Sequence, residues 1–150
     1  MECIEHTLDG NPDFGRKSTV TIIRNGDLAT RMYLLVTLDT VTWIPRNPGT
    51  QAPRFAWVRR LGHALIKSIE VEIGGSRIDK QYGVWLDLWY ELTHEVNQDR
   101  GYAAMIGDVD ALTRLDEPDA QGNIKDQYTM YIPLQFWFNR NSGLALPLIA

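Results

Sequence analysis

A single cysteine, Cys3, is all the thiol in this 150-residue chain. An internal disulfide is therefore impossible, and a thiol-rich metal site is excluded. Such cysteine usage suits a reducing compartment. No apolar run approaches the roughly 20 residues that a membrane-crossing helix needs. Met1 to Gly10 are mostly polar or charged, unlike a secretory leader. Basic clusters are scarce as well. The densest is Arg54, Arg59 and Arg60, interrupted by Trp57 and Val58, in a chain of net charge −4. Phosphate contacts dominate nucleic-acid affinity, so direct nucleic-acid binding is not expected.

Motifs that carry chemistry are missing in the same way. The three histidines, His6, His63 and His94, form no H-x-H or H-E-x-x-H pattern, and no two stand at metal-ligand spacing. Without H-x-H, a metal-dependent enzyme built on a small β-sandwich loses its usual ligand set. There is no G-x-S-x-G, and Ser142 sits in the turn sequence Asn141-Ser142-Gly143. Gly74-Gly75-Ser76 lacks the lysine and following helix of a phosphate loop. Asp108 and Asp110 could share acid–base work, but so polar a stretch keeps carboxylates solvated. Neither Asn47 nor Asn141 begins an N-x-[ST] acceptor. The sequence thus predicts no catalytic, cofactor-binding or metal residues, and no enzyme.

What the chain does have is period two. The length fits one domain, able to bury about 68–70% of the surface its unfolded form exposes. Hydrophobic residues make up 44% and charged residues 23%, which is ordinary for a globular protein. In Arg31–Leu38, Met32, Leu34, Val36 and Leu38 share one face. In Leu65–Ile73, Leu65, Ile69, Val71 and Ile73 do so, with Glu70 and Glu72 turned away. Tyr128–Phe138 is longest, with Met130, Ile132, Leu134, Phe136 and Phe138 in line. Pro133 cannot donate to a ladder and belongs at an edge, an end or a bulge. Thr19–Ile23 is a further β-branched stretch.

Asn25-Gly26-Asp27 and Gly74-Gly75-Ser76 read as turns, the second closing a hairpin onto Arg77–Tyr82. Pro45–Pro53 and the polar run Asp108–Gln127 read as loops. One helix stands out, with Trp85, Leu88, Trp89 and Leu92 on one stripe that suits core or interface packing. The expected fold is mainly β, an antiparallel sandwich with one short helix in a connection. Five tryptophans and six tyrosines leave open a carbohydrate-binding sandwich, since exposed rings stack on sugars. Aromatics are also enriched at permanent interfaces, which is the preferred reading.

Several stretches resemble a known family. Ile4-Glu5-His6-Thr7-Leu8-Asp9-Gly10, Asp13-Phe14-Gly15-Arg16-Lys17 and Arg24-Asn25-Gly26-Asp27-Leu28 are similar to the opening of major capsid proteins of nucleocytoplasmic large DNA viruses. The likeness continues through Ile69–Gly75, Ile78–Gly83, Trp85-Leu86 and Tyr131–Phe138, and is most specific from Phe138 to Ala150. Residues 39–60 and 96–127 match least. Ser142 stands where the family usually has proline, a change that still permits a turn. The resemblance implies a double jelly roll, of which residues 1–150 are the N-terminal jelly roll, incomplete at both ends, with a last strand beginning at Leu146. It further implies a structural subunit that forms homotrimers, pseudo-hexagonal capsomers of an icosahedral shell. Neighbouring capsomers and minor capsid proteins are the implied partners. The implied location is the virion, with assembly in the host cytoplasm.

Overall fold

The structure, a computed structural model, describes residues 2–43, 53–115 and 123–149. Among these residues eight strands form: β1 Leu28–Ala29, β2 Tyr33–Leu38, β3 Val41–Trp43, β4 Ile69–Ile73, β5 Ser76–Gln81, β6 Asn123–Lys125, β7 Tyr128–Pro133 and β8 Leu146–Pro147. They pair antiparallel as β1·β8, β2·β7, β3·β6 and β4·β5. In every pair the two strand numbers add to nine. This nesting arises when one long hairpin is rolled up on itself, and it is the connectivity of an eight-stranded jelly roll. The last strand expected from Leu146 is β8, held against β1 by Ala29 opposite Leu146.

Alternation decides the centre of the fold. In β7, Met130 and Ile132 are fully buried while Thr129 and Tyr131 are exposed. The expected alternation runs on past the strand. Leu134, Phe136 and Phe138 stay buried, although β7 ends at Pro133 and Trp137–Arg140 is a helical turn, α5. Pro133 therefore sits at a strand end, where its missing N–H removes no ladder bond. The Asn139 side chain holds this corner, accepting from the Phe136 N–H at 3.2 Å and donating to the Thr30 carbonyl at 2.5 Å. The Gly74-Gly75 hairpin forms as expected, with both residues at positive φ (59° and 79°). That geometry is the two-residue turn whose twist matches paired strands.

Helices are more numerous than expected. Besides α5 there are α1 Leu61–Leu65, α2 Gly83–Thr93, α3 Asp99–Ile106 and α4 Asp110–Thr113. Of these, the sequence pattern predicts only α2. Leu65 therefore ends a helix instead of opening a strand, and β4 begins at Ile69. The physical cause is visible in the spacing: Leu61 and Leu65 stand four apart, and Lys67 breaks the period-two row. The polar run Asp108–Gln127 contains α4 and β6, with residues 116–122 outside the described residues. Most of the expected Pro45–Pro53 loop, residues 44–52, also lies outside them. Thr19–Ile23 does not form a strand; only an isolated bridge from Asp9 to Thr19 appears. Ile23 is exposed there, and β propensity without a packing partner does not build a ladder.

Two apolar clusters result. Leu38, Met130 and Ile132 of the β2·β7 ribbon pack with Leu61, Leu86 and Leu112 of the helices. Leu134, Phe136 and Phe138 pack with Met32, Leu34, Ile69, Val71 and Leu146.

Candidate functional site

α1 packs on α2 and α3, α1 and α3 pack on β7, and side chains tie α2 to α3. Arg60, just before α1, is the one non-glycine residue at positive φ among the described residues (51°). A left-handed backbone costs such a residue roughly 1–2 kcal/mol. Its guanidinium offsets this by reaching α2, bonding Asp87 at 2.8 Å and also Glu91. Nearby, Arg59 holds Asp108 with two bonds of 3.1 Å. The Asp108 carboxylate is thus committed to an arginine, and Asp110 sits in the first turn of α4.

His63 lies at the centre of this clamp, buried between α2 and α3. Its Nδ1 is 3.1 Å from Asp87 Oδ1 and its Nε2 is 2.8 Å from the Tyr102 hydroxyl. A neutral ring protonated on Nδ1 satisfies both contacts, donating to Asp87 and accepting from Tyr102. The order carboxylate, imidazole, hydroxyl is that of a nucleophile relay. Here the hydroxyl belongs to a tyrosine whose pKa is pushed upward, first by burial and then by the neighbouring Tyr90. An activated nucleophile needs the opposite shift. The arrangement works as a clamp between three helices.

Burial disfavours the imidazolium of His63, and Arg60 adds to that effect; Asp87 opposes both, yet the pKa stays below its ordinary 6.5. The unfolded chain, titrating near 6.5, then takes up its proton first as pH falls. Stability from this site is complete above about pH 6.5 and is lost as pH falls through the lower folded value. Melting measured at about pH 7 and about pH 5 should therefore drop more for the native protein than for His63→Gln. Equal drops would show that His63 does not carry the dependence.

Of the other histidines, His94 donates from Nδ1 to the Tyr90 carbonyl at 2.9 Å, while His6 is half-buried in the N-terminal segment. The clamp was not legible beforehand, because Asp87 and Tyr102 stand 24 and 39 residues from His63. No group of three or more metal-ligating side chains converges among the described residues. Nor is any helix among them long and apolar enough to cross a membrane.

A shallow cavity of about 270 Å³ opens beside the clamp, with Trp89, Tyr90, His94 and Tyr102 along one side. Its rings are already engaged. Tyr90 stacks on Tyr102 at 3.9 Å and on His94 at 4.8 Å, and the Arg140 guanidinium lies 4.7 Å from the Trp89 ring centre. All five tryptophans are half-buried. Of the aromatic rings beside this cavity, Trp89, Tyr90, His94 and Tyr102 thus already have partners within the chain. What the surface does offer is flat apolar area. On the outer side of the β2·β7 ribbon, Leu35 faces Tyr131, and both are about half exposed. On α2 the expected stripe divides: Trp85 and Trp89 are half-buried, Leu88 and Leu92 are exposed, and Leu86 fills the core.

Comparison with known proteins agrees with this picture. Residues 1–150 match the family described as major capsid protein N-terminus. Capsid protein 1 of Acanthamoeba polyphaga mimivirus is 47% identical over 155 residues, covering 100% of this chain and 26% of its own length. The major capsid protein of Pyramimonas orientalis virus is 49% identical, covering 100% of this chain and 34% of its own length. Among solved structures, the crystal structure of PBCV-1 VP54, fitted into a reconstruction of the virophage Sputnik, superposes with a TM-score of 0.67 at 30% identity. It covers 96% of this chain and 30% of its own. The chain thus spans about a third or less of the relatives it matches. From its first residue to its last, this chain belongs to the major capsid protein N-terminus family.

Proposed function

We propose that these 150 residues are the first of two jelly rolls in a structural capsid subunit of a large DNA virus. The observation that carries this reading is the match along the whole chain to major capsid proteins, among them one at 49% identity. The nested strand pairing supports the same conclusion. So does the chemistry at the clamp: Asp87, Glu91, His63 and Tyr102 are spent on holding helices together, as suits a structural role without catalysis. The subunit forms homotrimers, each a pseudo-hexagonal capsomer of an icosahedral shell. Neighbouring capsomers and minor capsid proteins are its partners in the virion, and assembly takes place in the host cytoplasm. Exposed apolar faces such as Leu35 with Tyr131 are the kind of surface such contacts cover. Native mass measurement of the full-length protein at micromolar concentration should return trimers. A strictly monomeric species would overturn the proposal.

A further inference from the structure

Helix α2 carries an apolar row that no other part of the described chain covers. Val84, Leu88 and Leu92 follow at intervals of four, which puts them on one side of the helix. They are 71%, 52% and 79% exposed. The helix uses other residues to hold its place: Leu86 is fully buried, and Trp85 packs against the core beside Trp89. At the start of the row, Ile66, Lys67 and Tyr82 join Val84 and Leu88 in an open apolar groove.

The charges at the two ends of this row differ in sign. Lys67 borders the groove beside Val84, is exposed, and forms no ion pair among the described residues. Glu95 follows just beyond the Leu92 end, is exposed, and forms none either. A surface with an apolar middle, a free cation at one end and a free anion at the other is complementary to itself turned around. Two copies laid antiparallel put Leu88 against Leu88 and Val84 against Leu92. Each Lys67 then approaches the other copy's Glu95. Parallel copies would bring like charges together, a repulsion that selects against that arrangement.

We propose that the Val84–Leu88–Leu92 row of α2 binds the same row of a second copy of this chain, about a two-fold axis at Leu88. The inference rests on the capsid reading above and adds which surface joins subunits. A two-fold contact uses one patch on both partners, whereas a three-fold ring is built from two different patches. The α2 row therefore lies outside the trimer's own interfaces and links subunits of neighbouring trimers.

The test uses full-length protein carrying Cys3→Ser, with Leu88→Cys added. Mild oxidation at assembling concentration should give a disulfide-linked dimer on a non-reducing gel. Ser76→Cys, at the exposed start of β5, should give none. Adding Lys67→Glu to the Leu88→Cys protein should abolish the dimer band, and adding Glu95→Lys as well should restore it. Trimers that form normally but show no Leu88 cross-link would overturn the α2 contact and leave the capsid reading standing. A cross-link indifferent to both charge changes would also overturn the proposed antiparallel register. A protein that never leaves the monomer would overturn both.

Discussion

Gly83→Ala should destabilise the protein by more than about 3 kcal/mol, beyond the usual cost of overpacking, and lower its melting temperature by roughly 6–12 °C. Gly83 opens α2 where that helix abuts the end of α1. A Cβ there would lie 2.1 Å from the His63 carbonyl oxygen and 2.4 Å from that of Ile66. Both are backbone atoms and cannot swing aside as a side chain would. The Gly83 N–H also donates to the Ile66 carbonyl at 3.2 Å, so separating the chains sacrifices a hydrogen bond as well. Lack of room is the cause here, since Gly83 is not at positive φ. Gly101→Ala is the matched control. It lies inside α3 with nothing within 4 Å of the added atom, and should gain about 0.5–1 kcal/mol. Thermal unfolding of the two variants checks the pair. An unchanged melting temperature for Gly83→Ala would mean that α1 and α2 are not docked this closely.

Phe136→Ala should cost about 3–5 kcal/mol, the range for deleting a buried aromatic side chain. Phe136 is 1% exposed and stacks on Phe138 with ring centres 5.8 Å apart. Their cluster takes in Met32, Leu34 of β2, Ile69 and Val71 of β4, and Leu146 of β8. Removing the ring leaves a cavity where three different strands meet, so local collapse cannot refill it cheaply. Phe14→Ala, at a site 68% exposed, should stay within about 0.5 kcal/mol of the native protein. Denaturant titration of both variants measures the contrast. A loss below about 1 kcal/mol at Phe136 would contradict the packing described for that cluster.

Both positions bear on what the sequence could reveal. Phe136 was legible, because a ribbon with one buried face writes period two into its residues, and Met130 through Phe138 obey it. Gly83 was not, because a collision with residues 63 and 66 is a fact of tertiary structure. α2 was legible as a helix, but its orientation was not. Its apolar residues exceed what one contact face can bury, and neighbours chose Leu86 over Leu88 and Leu92. α3 carried signals, Asp99 in its first turn and Gly107 after its end, but its shortness and Gly101 masked them. Thr19–Ile23 had the composition of a strand and lacked a partner. The clamp at His63 left no local trace, since its members come from three helices. The likeness to capsid proteins needed none of this detail, because it lay in the order of short motifs along the whole chain.

The nested pairing of strands also sets an order in time. The β4·β5 pair closes across two glycines, while β1·β8 joins Leu28 to Pro147, across most of the chain. The entropy of closing a loop grows with its length, so pairs formed from the inside outward each close a shorter effective loop than the reverse order would. Contacts this distant in sequence make for slow folding. A ribosome reading from the N-terminus releases Leu28 long before it has made Leu146. Throughout that interval the first strand has an open edge, the feature by which crowded nascent chains find one another instead of themselves.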